Sequence, residues 1–218
     1  MNALYNANNQ DISSKGVAPF AFPKAKSSKT GGSVEYAPSP DKKWYVFRIL
    51  YGHTRQVADT LIDNGDYAYV AMIWKDLRIG GKKRRTLVPF MNLVFAYVDD
   101  AQADKYVKES PESRFITYYY NHFAEQDGKN PPLTVSSKDM EPLIRVTSIR
   151  DEHVMEVDLK TCRFVSDDIV RITEGPFEGI TGRVARVSRQ TRVVVYIKGL
   201  NSGLTTAYIP HYCLEKVN

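Results

Sequence analysis

From Arg163 to the C-terminus, short β-branched runs are cut by Gly175, Gly179, Gly182, Gly199 and Gly203. Glycine at that spacing ends strands and weakens helices, so this stretch is expected to fold as a small all-β barrel of about five strands. The region before it reads differently. Trp44-Tyr45-Val46-Phe47-Arg48-Ile49-Leu50 is an aromatic and β-branched run, hence a strand. Between Thr54 and Asn64, Val57, Ala58, Leu61 and Ile62 recur at helical spacing before the Asn64-Gly65 stop.

Further strands are expected over Tyr67–Trp74, Phe90–Val98 and Ser113–Tyr120. Gly80-Gly81 reads as a hairpin turn with Arg85–Leu87 in the returning arm. Helices are expected after the Asp99-Asp100 pair and after Ser136-Ser137. Strands and helices in that order predict an α+β domain over 43–150, a mostly antiparallel sheet flanked by helices. Residues 151–162 are charged and read as a linker, with the β-barrel over 163–218. Residues 1–42 hold 13 Gly, Ser or Pro residues, and Phe20, Phe22, Val34 and Tyr36 are scattered among them. That is too little apolar surface to offset ordering entropy, so 1–42 is expected as a flexible extension, with a short docking strand as the alternative.

The string Asp168-Ile169-Val170-Arg171-Ile172-Thr173-Glu174-Gly175-Pro176-Phe177-Glu178-Gly179-Ile180-Thr181-Gly182-Arg183-Val184 resembles a KOW motif, as found in NusG-type transcription factors and a few ribosomal proteins. Gly175-Pro176 turns the first strand, Phe177 is suited to plug the barrel end, and Gly182 falls where a Cβ would be costly. The α+β domain ahead of it is similar to the NusG layout. Trp44-Tyr45-Val46 resembles the opening strand, and Phe90-Met91-Asn92-Leu93-Val94-Phe95-Ala96 resembles the family's F-P-G-Y-V-L/F-V pattern. Met91, Asn92, Leu93 and Ala96 depart from it, and Asn92 suits a left-handed turn position.

The resemblance implies a transcription elongation or antitermination factor without catalytic activity, of the RfaH/UpxY type, acting on a limited set of operons such as those for surface polysaccharide. It implies RNA polymerase clamp binding through Val46, Arg48, Phe90, Leu93 and Phe95; the other reading for the apolar members is ordinary core. It also implies that non-template DNA or nascent RNA is met by His53, Arg55, Lys82, Lys83, Arg84 and Arg85; the other reading for Lys82–Arg85 is a solvated loop. Lys198 stands where the family barrel carries a phenylalanine that helps dock a ribosomal protein or Rho, which speaks against carrying that contact over. An RNA-binding or ribosome-associated KOW protein, or the housekeeping NusG, is the alternative.

Charge separates the pieces. The net +5 divides as +2 over residues 1–42, −1 over 43–159 and +4 over 160–218. The basic tail suits RNA or an acidic protein around Arg183, Arg186, Arg189 and Arg192, or simple solubility. His53, His122, His153 and His211 have no metal-ligand spacing, and no phosphate-binding loop or nucleophile elbow is present, so neither an enzyme nor a metal or other cofactor is expected. Cys162 and Cys213 suit free thiols in a reducing cytoplasm. No secretory leader or membrane segment is read from the sequence.

Overall fold

The Trp44–Ile49 run becomes the central strand of the first sheet, because its alternating side chains are buried on both faces. The computed structural model describes residues 20–217. A small hairpin comes first, β1 (Ala25–Lys26) and β2 (Ser33–Val34). The first domain follows as β3 (Lys43–Ile49), α1 (Thr54–Asp63), β4 (Tyr67–Tyr69), β5 (Met72–Ile79), β6 (Lys82–Pro89), β7 (Leu93–Val98), α2 (Asp100–Lys108), β8 (Ile116–Tyr118), β9 (Thr134–Val135) and α3 (Ser137–Ser148). The second part is β10 (Met155–Asp158), β11 (Arg163–Ile172), β12 (Thr181–Val187), β13 (Gln190–Tyr196), β14 (Ser202–Thr205) and β15 (Leu214–Lys216).

The first sheet runs β4-β7-β3-β8, with β9 also pairing β3, and its pairs are antiparallel. Register places Trp44 opposite Tyr97 and Val46 opposite Phe95, so these side chains share a face. Helix α3 covers it: Trp44 Nε1 donates to Ser137 Oγ at 3.1 Å, and Tyr69 Oη lies 2.7 Å from Thr147 Oγ1. On the other face, the Tyr45 and Tyr118 hydroxyls donate to Asp100 and Asp104 of α2, each at 2.7 Å. Both expected N-caps form. The Asp99 side chain accepts from Gln102 N, and Ser136 Oγ accepts from Asp139 N.

Three expectations are corrected. The Tyr67–Trp74 run is not one strand: it breaks at the buried Ala71, whose carbonyl accepts from Phe90 N at 2.8 Å, and β5 leaves to pair only with β6. The linker read over 151–162 contains β10, which pairs in register along β14 from Met155–Thr205 to Asp158–Ser202. A barrel was expected, yet the second sheet is an open antiparallel path, β10-β14-β13-β12-β11-β15, with no closing pair among the described residues.

The largest departure lies in the extension. Residues 20–42 form a strap on the first domain, the docking alternative rather than the flexible one; the expectation for residues 1–19 lies outside the described residues. The Phe22 ring stacks on Tyr36 at 4.1 Å between centroids, and Tyr36 in turn stacks on Trp44 at 5.6 Å. Tyr36 Oη also lies 2.6 Å from Ser137 Oγ. Ser28 N donates to Asp59 at 2.7 Å and Thr30 Oγ1 to Asp63 at 2.6 Å, so the hairpin is tied along one side of α1. Tyr36→Ala removes stacking and a side-chain hydrogen bond from a half-buried ring, and is expected to cost about 2–3 kcal/mol in urea denaturation.

Candidate nucleic-acid interface

The β5–β6 hairpin stands apart as a two-stranded sheet. Its turn is the two-residue Gly80-Gly81, with φ of 58° and 78°, as a type I′ connection between Ile79 and Lys82 requires. Side chains alternate between its faces. Asp76 pairs with Arg85 in register and Arg78 with Lys83, so these four share one face. Leu77 pairs with Arg84 and Ile79 with Lys82 on the other.

This alternation divides the Lys82–Arg85 cluster. Lys83 Nζ lies 3.0 Å from Asp76, while Arg85 contacts Asp76 at 3.7 Å and Glu152 at 3.4 Å. Lys82 and Arg84 enter no ion pair among the described residues, and beside them Leu77 and Ile79 are 37% and 47% exposed. Such a face can meet phosphate oxygens with its cations and sugars or bases with its apolar side chains. The base of the hairpin leans on the segment after α3. Trp74 Nε1 donates to the Arg150 carbonyl at 2.9 Å, and Lys75 pairs with Glu156 of β10 at 2.5 Å.

The other nucleic-acid candidates do not join this face as one cluster. His53 precedes α1, with its ring stacked on Phe115 at 3.7 Å and Nδ1 2.9 Å from Gln56 Oε1, which packs it between α1 and the turn that precedes β8. Arg55 is exposed and lines a cleft between α1 and the strap.

Val46, Phe90, Leu93 and Phe95 lie in the core at 0–1% exposure, while Arg48 is exposed between Leu93 and Thr117 in the sheet register. Phe90 is held by a 3-10 turn in which Met91 and Asn92 have φ of 52° and 55°. Asn92 therefore occupies the left-handed position read from sequence. Replacing Phe90 and Leu93 together by Ala would empty two buried sites, at an expected cost of about 5 kcal/mol or more, so their loss tests folding first. Arg48→Glu is the cleaner probe of that surface.

In the second sheet, Gly175 and Gly179 take φ of 86° and 80°, and Phe177 is buried between them. A Cβ on Gly182 would sit 2.4 Å from the Val194 carbonyl oxygen and 2.8 Å from Val193 Cγ1, so the backbones of β12 and β13 demand glycine there. The four arginines around the β12–β13 hairpin separate by role. Arg192 is buried and donates to the His153 and Thr206 carbonyls at 2.8 and 2.9 Å, and burial lowers its pKa. Arg183 stacks on Phe164 at 3.9 Å and pairs with Asp167. Arg186 and Arg189 remain exposed, as does Lys198. The neighbouring Gly199 abuts Leu133 of the first domain, where an added Cβ would fall 2.6 Å from Leu133 Cδ1.

A family model described as the KOW motif matches residues 167–198. The second sheet therefore carries a KOW motif. The match spans most of β11, all of β12 and β13, and the turns between them, including Gly175 to Gly182. No curated protein matches the chain. Among the described residues no His, Cys, Asp and Glu side chains group to hold a metal ion, and no helix is long and apolar enough to cross a membrane. Both cysteines are free, and burial pushes the Cys162 thiol pKa up.

Sequence reasoning named the Lys82–Arg85 cluster but missed its division into paired and unpaired halves. A two-residue turn plus strand alternation carried that signal, since Asp76 must face Arg85 once Gly80-Gly81 is the turn.

Proposed function

We propose that the protein is a KOW-domain factor without catalytic activity that binds RNA or single-stranded DNA of the gene-expression machinery. The observation that carries this reading is the projecting β5–β6 hairpin, whose Lys82 and Arg84 are free of local carboxylates beside exposed Leu77 and Ile79. The KOW motif supports it, with Arg186 and Arg189 as an additional basic edge. Electrophoretic mobility shifts with single-stranded RNA test it: Lys82→Ser with Arg84→Ser should weaken binding at low salt by about tenfold or more. Equal binding by the variant would overturn the hairpin's role.

A second reading is a NusG-type elongation or antitermination regulator that docks on the RNA polymerase clamp at a limited set of operons. The order of an α+β domain followed by a KOW segment favours it. Clamp docking would use Arg48 and the rim of the sheet, since Val46, Phe90, Leu93 and Phe95 are enclosed. Sedimentation of a cell extract separates the readings. Comigration with polymerase, lost in Arg48→Glu, favours the regulator, whereas comigration with ribosomes favours an RNA-binding or ribosome-associated role.

A further inference from the structure

Between the strap, α1 and the end of α3 lies a cleft of about 560 Å³. That volume falls within the usual range for small-molecule sites. Four cations line it: Lys24 and Lys26 from the strap, Arg55 from the first turn of α1, and Arg150 just after α3. Asp59 is its one carboxylate, and both its oxygens are engaged by Ser28, one by the backbone N–H and one by the hydroxyl. Lys24 pairs with Glu35, but Lys26, Arg55 and Arg150 enter no ion pair among the described residues. Ala58, Ile62, Ala68 and Met72 give the cleft an apolar side, and Thr147 and Ser148 add hydroxyls at the end of α3.

Arg150 offers a clean variant for testing the cleft. Its φ is +54°, at the position after a helix end where glycine is the residue without strain. A non-glycine residue there costs roughly 1 kcal/mol, so glycine can replace Arg150 and remove its cation without straining the backbone.

A group of cations beside an apolar side and a few hydroxyls, without a free carboxylate, suits an anion attached to a flat body that is partly apolar and partly polar. We propose that this cleft binds a nucleoside phosphate, either a free nucleotide or one unit of a single strand. The strand source rests on the nucleic-acid reading above; the free-nucleotide source does not.

Calorimetric titration of the full chain with ATP, GTP, inorganic phosphate and a single-stranded oligonucleotide tests the proposal in the parent, Arg55→Gln and Arg150→Gly. The glycine variant relieves the strained φ while removing the cation, so its melting temperature should hold or rise. Binding of a nucleotide or the oligonucleotide should nonetheless weaken about tenfold, the size of a lost charge-assisted hydrogen bond. Weakened nucleotide binding identifies a free ligand; weakening confined to the oligonucleotide identifies a strand. The proposal is overturned if neither probe binds, or if both bind the variants as they bind the parent. Inorganic phosphate competing as well as a nucleotide would overturn the nucleoside part. Oligonucleotide binding that ignores Arg55 and Arg150 but falls in Lys82→Ser with Arg84→Ser would leave the hairpin reading standing and remove the cleft. Nucleotide binding that falls in Arg150→Gly, in a chain that ignores the oligonucleotide, would do the reverse.

Discussion

Gly182→Ala should unfold or severely loosen the KOW sheet, although it adds a single methyl group. The new Cβ would meet the Val194 carbonyl oxygen at 2.4 Å and the Val194 carbonyl carbon at 3.0 Å. These are backbone atoms of a paired strand, so they can retreat only by breaking the β12–β13 ladder around Arg183–Val194 and Val184–Val193. Overpacking of a tight interior commonly costs about 1–3 kcal/mol, and a backbone clash belongs at or beyond the upper end. Gly175→Ala is the control. Its φ of 86° is strained for alanine, but nothing lies within 4 Å of the added Cβ, so a loss of about 1 kcal/mol is expected. Guanidinium titrations of both variants should therefore separate by about 2 kcal/mol or more. Equal midpoints would mean that β12 and β13 do not approach as closely as described.

Much of the first domain was legible because its signals are local. The Asp99 and Ser136 caps, the Gly80-Gly81 turn and the left-handed Asn92 each follow from the chemistry of one or two residues. The strap was not legible for the opposite reason. Composition shows what residues 20–42 can bury against themselves, whereas Phe22 and Tyr36 bury against Trp44, Tyr67 and Tyr97, a surface made by the rest of the domain. Likewise Met155-Glu156-Val157-Asp158 looks like a charged spacer until β14 offers it a partner edge. In the candidate site, cation content was readable but availability was not. Arg192 and Arg183 are spent on a carbonyl pair and on Phe164 with Asp167, contacts that depend on tertiary placement.

The four cations of Lys82–Arg85 should contribute unequally to the salt dependence of nucleic-acid binding. A cation that neutralises a phosphate releases counterions and steepens the log–log slope, by about 0.7 per contact on single strands and 0.9 on duplex. Lys83 and Arg85 already face Asp76, and Arg85 also Glu152, so a phosphate would have to displace a carboxylate to use them. Lys82 and Arg84 face no such competitor on the side of Leu77 and Ile79. Lys82→Ser with Arg84→Ser should flatten the slope by about one to two units, whereas Lys83→Ser with Arg85→Ser should change it by less than about half a unit. The second pair also unmasks Asp76, whose negative charge would lower affinity slightly while leaving the number of released ions nearly constant. Sequence preference should move little in either variant, since phosphate contacts position a strand without reading it. Leu77→Ser with Ile79→Ser completes the comparison: it should weaken binding at every salt concentration in parallel, because apolar contact releases no counterions. Equal slope changes for the two cation pairs would mean that strand alternation does not decide which charges meet phosphate, and that the hairpin acts through its total charge alone.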